Sequence, residues 1–230
     1  MKEVQYTKIE VGKGVSKKAG LSVLDGEVRV YVNDKKPFKM TLLPRNKVEA
    51  ALGRIFFMGI ISSFEDVLEI DEEGDLVRFT VNENERELSC VDSDVILPAH
   101  VLSDSMKKLF GSTDVWRLTG GVHSAGLFDF EGNLLYNTDD IGKGNAIDAV
   151  IGMGLRESLD FSKCILVSTG RQIGFMVEKA VRAGIPIVAA RGAPLYSSIE
   201  VAKEYGITLV CFVKGKSMNI YTHESRVVIE

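Results

Sequence analysis

The sequence is poor in the residues from which covalent and metal-held scaffolds are built. Its 230 residues include three cysteines, Cys90, Cys164 and Cys211, and three histidines. The cysteines form an odd set at long spacings with no C-x-x-C, which excludes a disulfide framework and predicts reduced thiols. No histidine or cysteine pair has zinc-ligand spacing and no H-x-E occurs, so zinc hydrolysis is disfavoured and no intrinsic metal is expected. Long apolar runs are also lacking: the longest, "IFFMGII", has seven residues, against the roughly 18–20 needed to cross a bilayer. The opening "MKEVQYTKIEVGKG" alternates polar and apolar residues without the apolar core of a secretory signal, so a cytoplasmic protein is expected. A net charge of −4 gives no electrostatic reason to expect nucleic acid or an anionic membrane as the partner. Any phosphate site must be local.

What is present is an ordinary globular mixture, 45% hydrophobic and 26% charged, long enough for one large domain or two small ones. "EVRVYVNDKKPFKMTLLP" reads as a hairpin turning at Asn33 to Lys36, and "NKVEAALGRIFFMGII" as a helix opened by Asn46. Strand patterns return at Val67 to Ile70, Leu76 to Val81 and Arg86 to Cys90. A short helix falls in "SDSMKKLFGSTD", and "WRLTGGVHSAGLFDFEGNLLYNT" reads as two strands about Glu131 to Asn133. The pattern then changes. Helices from "NAIDAVIGMGLRESL", "GFMVEKAVRAG" and "PLYSSIEVAKEYG" alternate with the short apolar runs "CILVS", "IPIVAA" and "ITLVCFV", the signature of a sheet covered on both faces. The expected architecture is α/β, α+β overall: a β-rich domain over 1–110 with one helix, then an α/β domain over 111–230.

Two loops of that second domain point to an anion. In "LVSTGRQIGF" a strand ends at Ser168 and a helix follows within about four residues, which places Gly170 and Arg171 at a strand's carboxyl end beside a helix N-terminus. "AARGAPL" repeats the arrangement with Arg191 and Gly192, and Pro194 is expected at the first helical position. Tight turns with solvated arginines are the better account of either loop alone, and only the two in succession bring the anion reading level with it. "DDIGKGNAIDAVIG" brings Lys143 and Asn145 to a helix entry, with capping by Asn145 or Asp140 as the plain alternative. No third glycine completes a dinucleotide fingerprint. His123 follows two glycines that let backbone approach a ligand closely. In "CFVKGKSMNIYTH", Gly215 between Lys214 and Lys216 suits a phosphate, or forms a basic hairpin turn. Cys90 has Glu87, Asp92 and Asp94 for neighbours, and their charge opposes the thiolate that a sulfur nucleophile must form. Taken on pattern alone, Cys90 is a small residue in acidic company.

Together these motifs resemble the FdhD family, the formate dehydrogenase accessory sulfurtransferases. "RLTGGVHSAGLFDFEG" is similar to the family's R-T-G-G-x-H-x-A segment and "DDIGKGNAIDAVIG" to its E-D-V-G-R-H-N-A-x-D-K segment. "STGRQIGFMVEKAVRAGIPIVAARGAP" resembles S-G-R-x-S…K…A-G-I-P…A-P, and "CFVKGKSMNIYTH" the closing F-x-R/K…N-V-Y-T. The segment "VNDKKPFKMTLLPRNKVEAALGRIFFMGII" resembles the family's N-terminal domain, so the likeness spans nearly the whole chain.

The resemblance implies a C-terminal domain with a cytidine-deaminase-like fold lacking that fold's zinc motif. It also implies a sulfur carrier, or sulfurtransferase, that takes persulfide sulfur from a cysteine desulfurase. The sulfur would pass to the molybdenum cofactor as bis-molybdopterin guanine dinucleotide, a bound ligand needed for formate dehydrogenase activity. By the same resemblance Cys90 is the carrier, and Phe212, Val213, Lys214, Gly215, Lys216 and Ser217 bind the cofactor. Gly170, Arg171 and Lys143 join them as phosphate contacts and His123 as an orienting group, and a homodimer is a further expectation. Two departures matter: the family's C-G-x-C-G is here "CVDSD", with Ser93 in place of the second thiol, and its R-H-N is Lys143-Gly144-Asn145. The alternative is a chaperone that binds the cofactor or a guanine nucleotide without transferring sulfur. Client enzyme, metal (molybdenum or tungsten) and sulfur donor are not encoded in any motif.

Overall fold

A computed structural model describes residues 1–229. The chain opens with a ribbon of two antiparallel strands, β1 (Lys2–Glu10) and β2 (Gly14–Ser22). A four-stranded sheet follows, in the order β4-β3-β6-β5, from β3 (Gly26–Val32), β4 (Phe38–Leu42), β5 (Val67–Glu73) and β6 (Leu76–Val81). Its covering helix is α1 (Lys47–Phe57), whose Val48, Leu52, Ile55 and Phe56 fall on one buried face. Asn46 holds the N-cap position with φ 51°, yet its side chain donates to Thr138 Oγ1 at 2.8 Å instead of capping the helix.

The second sheet has six strands in the order β13-β12-β11-β10-β8-β9. They are β8 (His123–Phe128), β9 (Leu134–Asp140), β10 (Ile165–Ser168), β11 (Ile187–Ala190), β12 (Thr208–Lys214) and β13 (Ser217–Ile220). β10, β11 and β12 run parallel, and the other pairings are antiparallel. Alternate residues of the parallel strands enter different cores. Leu166, Val188, Ala190, Leu209 and Cys211 join the core that holds α1, α4 (Lys143–Arg156) and α5 (Gly174–Ala183). Ile165, Val167, Ile187, Ala189 and Val210 meet α2 (Ala99–Gly111) on the opposite face. That double burial is why these strands read as unbroken apolar runs. The larger core continues through α1 and α4 into the four-stranded sheet. At the crossing of those helices Gly53 lies against the backbone of Asp148 and Gly152 against that of Glu49.

Several details depart from the sequence pattern. Arg86 to Cys90 is not a strand but part of an irregular segment between β6 and the short strand β7 (Leu97–Pro98): it pairs with no strand, the Arg86 carbonyl accepting from the Arg182 side chain and the adjoining Val91 amide donating to the Tyr205 carbonyl. Trp116 to Thr119 belongs to a short helix, α3 (Asp114–Thr119), ended by Gly120 at φ 63°, so only the later part of that stretch forms strands. α2 runs 13 residues where a short helix was expected. Pro194 is not at the first turn of α6 (Tyr196–Glu204): Leu195 is its N-cap, and Pro194 bridges to Gln172. No helix among the described residues is long and apolar enough to cross a membrane.

The β1–β2 ribbon is exposed along nearly its whole length, with Ile9 70% and Val11 97% accessible. A two-stranded hairpin without a covering layer is marginally stable. Its amides should therefore exchange with deuterium far faster than those of β10 to β12 in a hydrogen-exchange mass-spectrometry time course, and protection equal to the central sheet would contradict this.

Candidate functional site

The carboxyl ends of β10, β11 and β12 frame one cleft with two lobes. The smaller, about 460 Å³, is lined by Gly120, Gly121, His123, Thr169 and Gly170. The larger, about 820 Å³, is lined by Asp104, Lys107, Val213, Gly215 and Lys216 among others. Phe110, Trp116 and Arg191 border both. Phe110 and Trp116 meet edge to face with centroids 5.1 Å apart, and the Arg191 guanidinium lies 5.5 Å from the Phe110 centroid while donating to the Val213 carbonyl at 3.4 Å.

The loops behind the cleft are stacked backbone to backbone. Gly192 donates to the Gly170 carbonyl at 3.1 Å, and Phe212 to that of Gly192 at 3.2 Å. A side chain at Gly192 would overlap the Gly170 backbone, so only glycine permits this approach. Several amides that strand-end loops can offer an anion are thereby engaged internally. The first amide of α5, on Gly174, donates to Ser197 Oγ at 3.1 Å.

Of the residues singled out from sequence, His123 and Gly170 line the smaller lobe and Val213, Gly215 and Lys216 the larger. His123 Nδ1 is 3.3 Å from Thr169 Oγ1, and burial together with the nearby Lys143 charge holds its pKa below the usual histidine value. Lys143 sits beneath the cleft, its ammonium donating to the Arg171 carbonyl, and burial lowers its pKa to about 7. Arg171, Phe212, Lys214 and Ser217 are exposed and lie outside the lining of both lobes. Neither Asn145 nor Asp140 caps α4: its N-cap is Gly142, without a side-chain cap, and Asp140 instead accepts from the Gly142 amide at 2.8 Å and from Asn145 Nδ2 at 2.9 Å, bracing the loop ahead of the helix. Asp104, Lys107, Phe110 and Trp116 line the cleft without belonging to any motif. Their one legible signal was the stripe 104, 107, 110 along a helix, hidden by two adjacent lysines and a loose apolar pattern.

Cys90 lies elsewhere. It lines a recess of about 380 Å³ with Arg86, Ser162 and Arg182, and its Sγ donates to the Glu204 carbonyl at 3.5 Å. The recess is built from Asp160 and Phe161, Arg182 to Gly184, and Glu204, which precede β10, β11 and β12 respectively. Thiol and cleft therefore open at opposite ends of the parallel strands, separated by at least the four residues of β10, roughly 13 Å at ~3.3 Å per residue. Positive charge does reach the thiol's surroundings from a distant part of the chain, since Arg182 donates to the Arg86 carbonyl and both arginines line the recess. Cys90 is exposed, whereas burial pushes the thiols of Cys164 and Cys211 up to about 12.

Comparison with known proteins places this arrangement. A family model described as the FdhD/NarQ family matches residues 77–228. The chain is 32% identical to the sulfur carrier protein FdhD of Sulfolobus acidocaldarius over 99% of this chain and 98% of that one. It is 31% identical to the protein of the same name from Methanothermobacter thermautotrophicus, over 90% and 91% of the two chains. A crystal structure described as that of a formate dehydrogenase accessory protein from Desulfotalea psychrophila superposes with a TM-score of 0.90 at 24% identity, covering 98% of each chain, which shows the shared fold. With nearly full-length relatives and a matching profile over both the Cys90 segment and the cleft, the chain belongs to the FdhD/NarQ family.

Proposed function

We propose that the protein is a sulfur carrier serving formate dehydrogenase, in which Cys90 holds sulfur as a persulfide and the two-lobed cleft receives the molybdenum cofactor as molybdopterin guanine dinucleotide, its substrate. The observation that carries this reading is selective exposure: Cys90 is open to a partner protein, while Cys164 and Cys211 are buried thiols held in the neutral form. In loading, the Cys90 thiolate attacks the outer sulfur of a persulfide on a cysteine desulfurase. The donor's S–S bond breaks, the donor cysteine leaves as thiolate, and Cys90 keeps the outer sulfur. Arg86 and Arg182 offset the negative charge that Glu87 and Asp92 bring to the recess.

The cleft has a surface suited to a phosphate-bearing substrate. Its smaller lobe has Gly170 against His123, where an added Cβ would press to 3.0 Å from the imidazole, so a backbone cradle is preserved. Lys216 and Arg191 supply cationic groups for phosphates, with Gly215 leaving the turn unobstructed. Incubation with a cysteine desulfurase and cysteine should add about 32 Da at Cys90, seen by intact mass, and Cys90→Ala should lose the adduct entirely. A parent protein without that adduct overturns sulfur carriage. The second reading, a chaperone that binds the cofactor without transfer, is favoured by Ser93 at the position of the family's second thiol and by the distance between thiol and cleft. It predicts nucleotide binding with no adduct.

A further inference from the structure

We infer that the recess beside Cys90 is itself a binding site for a small zwitterionic sulfur donor, a free amino-acid persulfide, from which the thiol takes sulfur without a partner protein. The inference rests on the reading that Cys90 carries sulfur, and it adds a class of donor and the residues that recognise it. The recess brings together Arg86, Glu87 and Asp92 from the segment around the thiol, Asp160, and Arg182 from the last turn of α5. Asp160 is already engaged: its carboxylate accepts from Ser162 and pairs with Lys163 at 3.1 Å. Among the described residues Arg86, Arg182, Glu87 and Asp92 have no ion-pair partner, which leaves two cations and two anions unpaired around one thiol.

The two arginines are held as a pair. Arg182 donates to the Arg86 carbonyl and its Nε is buried without a hydrogen-bond partner; burial, joined by the Arg86 charge, holds its pKa below the ordinary arginine value. Two like charges in each other's field are stabilised by an anion, and a guanidinium matches a carboxylate in shape. The opposite sign is present for an ammonium group. Glu87 and Asp92 line the same recess, as do Arg182 to Gly184 at the carboxyl end of α5, where the helix dipole is negative. A purely anionic donor such as thiosulfate meets those carboxylates with repulsion, whereas a zwitterion finds a partner for each of its charges. At about 380 Å³ the recess is near the lower bound of the roughly 300–1,000 Å³ spanned by small-molecule sites, which is room for an amino acid. The transfer needs no further reagent. The Cys90 thiolate attacks the outer sulfur of the persulfide, and the donor's S–S bond breaks as the new one forms. The free amino acid leaves as a thiolate and takes up a proton equivalent to the one Cys90 released, while the outer sulfur keeps its own hydrogen.

Persulfides generated with sulfide from cystine, cystamine and dithiodipropionate supply the zwitterion, a donor without carboxylate and a donor without ammonium. Incubated with the full chain, each is scored by the rate at which the adduct of about 32 Da appears at Cys90 in intact mass, with Cys90→Ala as the check on its position. Dividing each rate by that of the same donor with N-acetylcysteine amide removes differences in intrinsic reactivity. The relative rate for the cystine-derived donor should exceed that of either truncated donor about fivefold or more. Arg86→Gln, at an exposed position, should close the gap between the cystine-derived and cystamine-derived donors. Glu87→Gln combined with Asp92→Asn, both exposed as well, should close the gap to the dithiodipropionate-derived donor. Thermal melting checks that each variant is folded. Equal relative rates for the three donors in the parent, or an undiminished preference in the variants, overturns the donor site, and loading by a desulfurase then leaves sulfur carriage standing. No adduct from any donor, a desulfurase included, overturns both this inference and the carrier reading beneath it.

Discussion

Gly152→Val should leave little folded protein. Gly152 faces the Glu49 backbone across the α1–α4 crossing and Gly53 faces that of Asp148, and even a methyl group at either position would overlap a carbonyl oxygen. The obstacle is main chain on both sides, so no side-chain rotamer relieves it, and the two helices must separate along their length. Separation would open the core shared by Leu52, Ile55, Ile147 and Ile151, which couples the four-stranded sheet to the six-stranded one. The cost should exceed the ~1–3 kcal/mol typical of core overpacking and approach the roughly 5–15 kcal/mol total stability of a domain. Gly111→Ala is the control: nothing lies within 4 Å of the added methyl and the position ends a helix, so the variant should keep or gain stability. Soluble yield and thermal melts of the two variants separate the outcomes, and a Gly152→Val protein melting near the parent would show that the helices are not in backbone contact.

Asp148→Ala should cost about 3–5 kcal/mol, the range for breaking a buried ion pair by removing one partner. Asp148 and Lys179 are both fully buried; the carboxylate accepts from the Lys179 ammonium and, at 2.8 Å, from Arg54 Nε. The ammonium also sits 4.0 Å from the centroid of Phe57, so the charge has a face of π-electrons but no second anion in contact. Burial already lowers the Lys179 pKa against the opposing pull of Asp148, and without the carboxylate that depression deepens. The pH dependence follows. A lysine that must shed its proton to fold binds fewer protons in the folded than in the unfolded state, so the variant's stability should rise with pH toward the unfolded-lysine value of about 10.4. Lys179→Met in the same background should restore much of the loss, because it removes the unpaired charge and keeps the volume. Urea titrations at two pH values measure both effects; a loss below 1 kcal/mol would mean that the charge finds water.

The parts of the fold legible in sequence were those whose pattern is set by their own burial. β10, β11 and β12 are apolar on both faces because α2 covers one and α4 with α5 covers the other, and α1 shows its buried stripe directly. The segment at Arg86 to Cys90 misled because alternation records side-chain chemistry, whereas a strand also needs a neighbour to pair with, and here the backbone partners are Arg182 and Tyr205. The site was legible only in fragments. Glycines and lysines at strand ends marked His123, Gly170, Gly215 and Lys216, but the aromatic wall joins residues of α2 and α3 to Arg191 some 75–81 positions away, a juxtaposition that no local spacing encodes. The charge that reaches Cys90 comes from Arg182, and Lys143 proved to be a buried strut because its ammonium found the Arg171 carbonyl.

The segment carrying Cys90 is latched at several points. Asn84 donates to the Ile60 carbonyl at 3.0 Å and Val91 to that of Tyr205 at 2.8 Å, Arg182 holds the Arg86 carbonyl, and Arg226 donates to that of Ser93 at 2.9 Å. A chain pinned on both sides of its thiol within a few residues is a fixed station, not a swinging arm. If Cys90 carries the sulfur as proposed, it is offered at one address on the surface, and a donor engaged there leaves the cleft at the far end of the strands unobstructed. On that reading loading and cargo binding are spatially independent events on one molecule, and a donor at the recess should not compete with a ligand in the cleft.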